Sequence, residues 1–269
     1  MQIELIDRKS TNLAHHTPLL FVHGAYHAAW CWDVHFLPYF ADRGYHACAM
    51  SLRGHGTSAG REALRRTSLN DFVDDLAETV QRFETPPVLI GHSLGATITQ
   101  RYLEYHTMPA AIIMSALVRQ GSAPPKAFLQ LFLRLLREHP RTLLKSFLTR
   151  EGYYLLSVSE VAHELFYSPA TPHDLVQQYV ARMQPESARV SFDVSTAKPV
   201  SLAFLSKTPI LFVGGADDSL TQPHMLEAGA QALQTEVVIC PNVGHNLMLE
   251  PGWQVAADTM IDWLRRRGL

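Results

Sequence analysis

Gly91-His92-Ser93-Leu94-Gly95 stands between the apolar run Val88-Leu89-Ile90 and a helix-period segment that begins at Leu94. Glycines two residues either side of a serine at a strand-to-helix turn let the backbone bend sharply and push the hydroxyl out at the end of a sheet. The alternative for Ser93 is an ordinary helix N-cap. A serine hydroxyl is a weak nucleophile until a base takes its proton, so this chemistry needs a histidine and a carboxylate elsewhere in the chain. Downstream, the apolar run from Pro209 leads into Gly214-Gly215-Ala216-Asp217-Asp218, a turn with two carboxylates. The run Glu236 to Cys240 is followed by Pro241-Asn242-Val243-Gly244-His245. Both loops fall at the carboxyl ends of their strands, as Ser93 does. Ser93, one of the two aspartates and His245 can therefore meet.

The elements that must bring them together are legible as periodicity. Strand-like runs occur at Leu19 to His23, Tyr45 to Ser51, Val88 to Gly91, Ala111 to Ser115, Pro209 to Gly214 and Glu236 to Cys240. The N-terminal Met1 to Arg8 also alternates like a strand. Helix-period segments lie between them, at about Asp33 to Arg43, Asn70 to Phe83, Leu94 to His106, His224 to Leu233 and Trp253 to Arg267. This alternation predicts an α/β fold with a doubly wound, mostly parallel sheet flanked by helices. Gly121 to about Lys207 breaks the pattern, with helical pieces punctuated by prolines and no convincing strand. An all-helical insertion cannot extend the sheet, so residues 121–206 are expected to form a cap over one end of a core made of residues 1–120 and 207–269. The flanking strands, Ala111 to Ser115 and Pro209 to Gly214, are then neighbours. Phe128, Leu131, Phe132, Leu135 and Leu136 follow helical spacing, which suits burial of the cap or a substrate wall. Tyr26, Phe128 and Phe132 are the candidate substrate-binding residues, with Tyr153, Tyr154, Phe166 and Tyr167 as further wall candidates.

Composition narrows the function classes. With 47% apolar and 18% charged residues, disorder and coiled coil are excluded as the main architecture. A net charge of −2 supplies no field for phosphate backbones or anionic lipid, so nucleic acid is not an expected partner. Cys31, Cys48 and Cys240 are an odd number without C-x-x-C spacing and read as reduced, buried thiols. The N-terminus lacks a basic start followed by an apolar run, and no segment is long enough for stable membrane insertion, so the expected location is cytoplasmic. His23 and His27 have H-x-x-x-H spacing but lie in a loop with another explanation, and no metal is expected. Gly54-His55-Gly56 lacks the dinucleotide fingerprint, so no cofactor is implied.

Taken together, His23-Gly24-Ala25-Tyr26, Arg53-Gly54-His55-Gly56-Thr57-Ser58, Gly91 to Gly95, and Gly214 to Leu220 followed by Gly244-His245-Asn246 resemble, in order, the motifs of the α/β-hydrolase superfamily. The stretch His23 to Trp32 is similar to the corresponding stretch of its plant methylesterases and hydroxynitrile lyases. The resemblance implies Ser93 as nucleophile and His245 as base. The superfamily's G-x-x-D turn, matched by Gly215 to Asp218, selects Asp218 as the acid. The backbone N–H groups of Ala25 and Leu94 become the implied oxyanion hole, and His23 and His92 take structural places. The implied activity is a serine hydrolase acting on a small-molecule carboxylic ester or related acyl compound. A monomer and a small homo-oligomer fit the sequence equally well. Alternatives on the same fold are a C–C bond hydrolase, a hydroxynitrile lyase-like enzyme and a catalytically weak ligand receptor. The lyases carry threonine where this chain has Gly24 and lysine where it has Asn246, which disfavours cyanohydrin cleavage. Branches with an aspartate nucleophile are disfavoured by Ser93.

Overall fold

Leu19 to Val22 and Ile210 to Gly215 are buried at every position, so they need cover on both faces. The computed structural model, which describes residues 1–118, 133, 136–149, 156 and 158–269, provides that cover. Its strands are β1 (Leu5–Lys9), β2 (Leu19–Val22), β3 (His46–Met50), β4 (Val88–His92), β5 (Ala111–Met114), β6 (Ile210–Gly215) and β7 (Glu236–Cys240). They form one seven-stranded sheet in the order β1-β3-β2-β4-β5-β6-β7. Among them β1 alone is antiparallel, paired from Leu5↔Met50 to Lys9↔His46, and it makes one edge of the sheet. The remaining ladders are parallel.

Side-chain alternation splits the core into two layers. Phe21, Ile90, Ile112 and Val213 pack with α1 (Trp30–Asp33), α2 (Phe36–Ala41) and α11 (Trp253–Arg265) through Trp32, Phe36, Phe40 and Trp263. Leu20, Leu89, Ile113 and Phe212 face the opposite layer, made of α3 (Leu69–Val80), α4 (Leu94–Leu103) and α10 (Pro223–Leu233). The sequence pattern predicts a single helix over Asp33 to Arg43, whereas the structure has two short ones. His35, at φ −136° and ψ −52°, breaks the run, and Pro38 falls in the first turn of α2, where a missing N–H is tolerated. α3 starts one residue earlier than its periodicity suggests because Ser68 and Asp71 close a capping box, with Ser68 N donating to Asp71 Oδ2 at 2.8 Å.

Between β5 and β6 lie α5 (Pro140–Thr149), α6 (Ser159–Phe166), α7 (His173–Val180), α8 (Ala188–Thr196) and α9 (Leu202–Leu205). Among the described residues this stretch holds no strand, and β5 and β6 are register partners from Ala111↔Ile210 onward. The chain thus leaves the sheet and re-enters it at the adjacent position. Phe128, Phe132, Tyr153 and Tyr154 lie outside the described residues. Among the described residues no helix is long and apolar enough to cross a membrane.

Candidate active site

β4 ends at His92 and α4 begins at Leu94, so Ser93 alone makes the turn, at φ 50° and ψ −113°. A side-chain-bearing residue held there costs on the order of 1–3 kcal/mol. The surroundings enforce it. A Cβ on Gly91 would lie 2.6 Å from the Cα of Ala96, and one on Gly95 would overlap the carbonyl oxygens of Val22 and His23. The elbow is therefore pressed against both its own helix and the end of β2, and Ser93 N is held by the Met114 carbonyl at 2.9 Å.

The other two loops deliver their groups to the same point. Asp218 is buried and Asp217 exposed. Asp218 Oδ2 lies 2.9 Å from His245 Nδ1, and His245 Nε2 lies 3.0 Å from Ser93 Oγ. Asp218 Oδ1 also accepts the backbone N–H groups of Leu220 and Thr221 at 2.9 and 2.8 Å, which fixes the carboxylate plane. Any Cβ on Gly215 would collide with the carbonyls of Val243 and Gly244, so the two loops are in backbone contact. The structure thus brings Ser93, His245 and Asp218 together and leaves Asp217 in solvent.

Leu94 follows the serine in the chain, and Ala25 follows Gly24 in the loop after β2. Neither backbone N–H finds an acceptor among the described residues. The loop carrying Ala25 abuts the elbow, since a Cβ on Gly24 would sit 2.6 Å from His92 Nδ1 and 3.1 Å from Ser93 Cβ. The next residue, the half-buried Tyr26, has φ 67° and is held on both sides. Gln184 N donates to its carbonyl at 2.9 Å, and its own N–H reaches Glu186 Oε2 at 3.4 Å.

Four more histidines crowd this edge. His23 Nδ1 donates to Gly24 O at 2.8 Å while its Nε2 accepts Leu52 N–H at 3.0 Å. His92 Nε2 donates to the carbonyl of His245 at 2.9 Å and so holds that residue's backbone. His27 pairs Nδ1 with Ala25 O at 2.8 Å, and the Asn246 amide nitrogen lies 3.4 Å from its Nε2. Burial pushes all three imidazoles down, His27 to about 4, and keeps them neutral. The ring nitrogens that a metal on His23 and His27 would need are engaged with protein groups. His55 differs. Burial lowers its pKa, but the attraction of the Glu186 carboxylate, 3.3 Å from Nε2, outweighs that and leaves it raised.

Two carboxylates here are invisible to motif reading. Glu250 is fully buried and accepts Gly244 N–H at 2.6 Å, Ser168 N–H at 2.9 Å and the Thr171 hydroxyl at 2.8 Å, tying the His245 loop to the end of α6. Asn246 N donates to Phe166 O at 2.8 Å, and the Phe166 ring lies 5.8 Å from that of His245. Glu186, with a side chain 3% exposed, joins the segment before α8 to the Tyr26 loop. The signal for Glu250 in the sequence is an acidic residue closing an otherwise apolar run, Leu247-Met248-Leu249-Glu250.

A model of the alpha/beta hydrolase family matches residues 19–257. Methylesterase 9 of Arabidopsis thaliana is 27% identical over 126 residues, 45% of this chain and 48% of the relative. The pyrethroid hydrolase of Sphingobium wenxiniae is 27% identical over 114 residues, 42% of this chain and 40% of the relative. Each match thus spans less than half the length of the relative. A thermophilic esterase from Thermogutta terrifontis has the same fold at TM-score 0.73 and 19% identity, covering 99% of this chain and 94% of that one.

Proposed function

The chain belongs to the alpha/beta hydrolase family, and from that premise we propose that it is a serine hydrolase that cleaves a carboxylic ester or closely related acyl compound through an acyl-enzyme. The observation that carries this reading is the continuous relay Asp218–His245–Ser93, with links of 2.9 and 3.0 Å. His245 Nε2 takes the proton of Ser93 Oγ as the oxygen attacks the carbonyl carbon. Asp218 holds Nδ1–H, which sets the tautomer and stabilises the imidazolium. The oxyanion that forms receives the N–H groups of Ala25 and Leu94, the latter at the positive end of α4. His245 then protonates the departing alcohol, and water, deprotonated in turn by His245, releases the acid and regenerates Ser93.

The helical stretch 121–206 is the lid of this site over a core of residues 1–120 and 207–269. Support comes from its contacts with the functional loops at Phe166, Ser168, Gln184 and Glu186. To Tyr26, beside Ala25, we assign contact with the acyl or alcohol group. Relatives named methylesterase and pyrethroid hydrolase support the ester class. The three cysteines, all free and buried, suit a reducing cytoplasm.

Hydrolysis of p-nitrophenyl esters from acetyl to lauroyl, with Ser93→Ala alongside, tests the reading. The expected result is a chain-length optimum and a loss of at least about 10⁴-fold in kcat on removing the hydroxyl. A wild-type protein that neither turns over any ester faster than Ser93→Ala nor is labelled at Ser93 by a phosphonate overturns it.

A further inference from the structure

Far from the proposed active site, the β1–β3 ladder places three unlike donors around one point. Asp7 is the register partner of Cys48 and sits diagonally from His46, which lies two residues along β3 on the same face as Cys48. His46 Nε2 lies 2.9 Å from Asp7 Oδ1 and 3.2 Å from Cys48 Sγ, and all three ligand atoms fall within 4.8 Å of one another. Two of the three contacts therefore converge on a single nitrogen. Among the described residues Asp7 has no lysine or arginine partner.

We propose that Asp7, His46 and Cys48 form a binding site for a divalent transition-metal ion, Zn²⁺ by its donor set, that clips the edge strand β1 to β3. One carboxylate, one imidazole and one thiol are the mixed oxygen, nitrogen and sulfur ligands that Zn²⁺ accepts, with bonds of about 2.0, 2.0 and 2.3 Å. Tetrahedral bonds of those lengths separate the donors by about 3.3–3.6 Å, so the nitrogen contacts need open by only a few tenths of an ångström. The fourth position is left to water on the solvent side, where Asp7 is exposed and His46 half-buried.

An ion among the three groups deprotonates the thiol. The balance is simple: Zn²⁺ replaces the thiol proton, which leaves to solvent, and the imidazole proton sits on Nδ1 so that Nε2 binds. One proton is released per ion bound.

The test is titration of the chelator-treated full chain with Co²⁺ as a spectroscopic stand-in, followed by competition with Zn²⁺. One ion per chain is expected, with a thiolate-to-cobalt charge-transfer band in the near ultraviolet that Zn²⁺ abolishes. Cys48→Ser should remove that band. Asp7→Asn, a surface change that leaves the fold intact, should weaken binding by at least the roughly 10-fold that loss of even an outer-shell partner costs. Absence of the thiolate band in the wild type, its persistence in Cys48→Ser, or unchanged affinity in Asp7→Asn would each overturn the assignment. None of these readouts depends on whether the chain hydrolyses esters.

Discussion

The helical stretch grips the two sides of the proposed active site by different means. On the His245 side, Glu250 is wholly buried and satisfied by three short hydrogen bonds, one from the His245 loop and two from the loop that follows α6. On the Ala25 side, Glu186 accepts the adjacent Ser187 N–H at 2.7 Å, but its contacts across to the core are longer, 3.4 Å to Tyr26 N and 3.3 Å to a protonatable imidazole. The first is a fixed strut, since every lone pair that matters has a donor without a proton to lose. The second depends on charge. The difference teaches that two buried carboxylates can tie the same helical stretch to one edge of the site and differ in their sensitivity to pH.

Glu250→Ala is the sharpest way to break the strut. It strands two backbone N–H groups and a hydroxyl in the interior, and a loss of about 3–5 kcal/mol in unfolding free energy is expected from denaturant titration. Glu250→Gln keeps one acceptor oxygen and should recover part of that loss.

Acidification separates the histidines next. His23, His27 and His92 are neutral in the fold with lowered pKa values, so below about pH 6.5 the unfolded chain binds protons that the native state refuses. Stability should therefore fall as pH drops from 6.5 toward 4, by up to about 3 kcal/mol for His27 alone. His55 has the opposite sign. Its raised pKa makes its contribution complete below the unfolded value and lost as pH rises through the folded one. Denaturant midpoints across pH 4–8 would read the two trends. Failure of stability to decline on acidification would remove the neutral assignment of the three.

The smallest effect belongs to Glu186→Gln. Its amide oxygen still accepts Tyr26 N–H, so stability at neutral pH should change by less than about 1 kcal/mol. The alkaline loss assigned to His55 should disappear, because a neutral amide no longer favours the imidazolium. A Gln variant that keeps that loss would mean that another group holds the His55 proton.

How much of this could be read from sequence follows from the range of each contact. The elbow and the acid and histidine loops are local patterns, a few residues after a strand, and the family's G-x-x-D spacing was enough to prefer Asp218 over its neighbour. The sheet and the adjacency of β5 and β6 follow from alternation and from an insertion that contains no strand. What stayed hidden joins residues distant in the chain. Glu250 meets Ser168, Glu186 meets Tyr26, and Asp7 meets Cys48 only because a register and a set of loops bring them together. Spacing rules for metal ligands look along one segment and so weighed His23 with His27, whose nitrogens are spent, rather than β1 against β3. The break at His35 leaves no mark in the sequence because apolar periodicity continues across it.

The same edge has a bearing on how copies of the chain behave when crowded. β1 offers a row of backbone groups that a second extended chain could pair with. Asp7, Arg8 and Lys9 are three consecutive exposed charges along that row, and at the opposite edge Glu236 of β7 is ion-paired with Arg266 and Arg267. Burying such charges in a strand-to-strand junction means stripping them of water, so both margins of the sheet resist fibrillar stacking while its interior strands, among the most apolar in the molecule, stay covered.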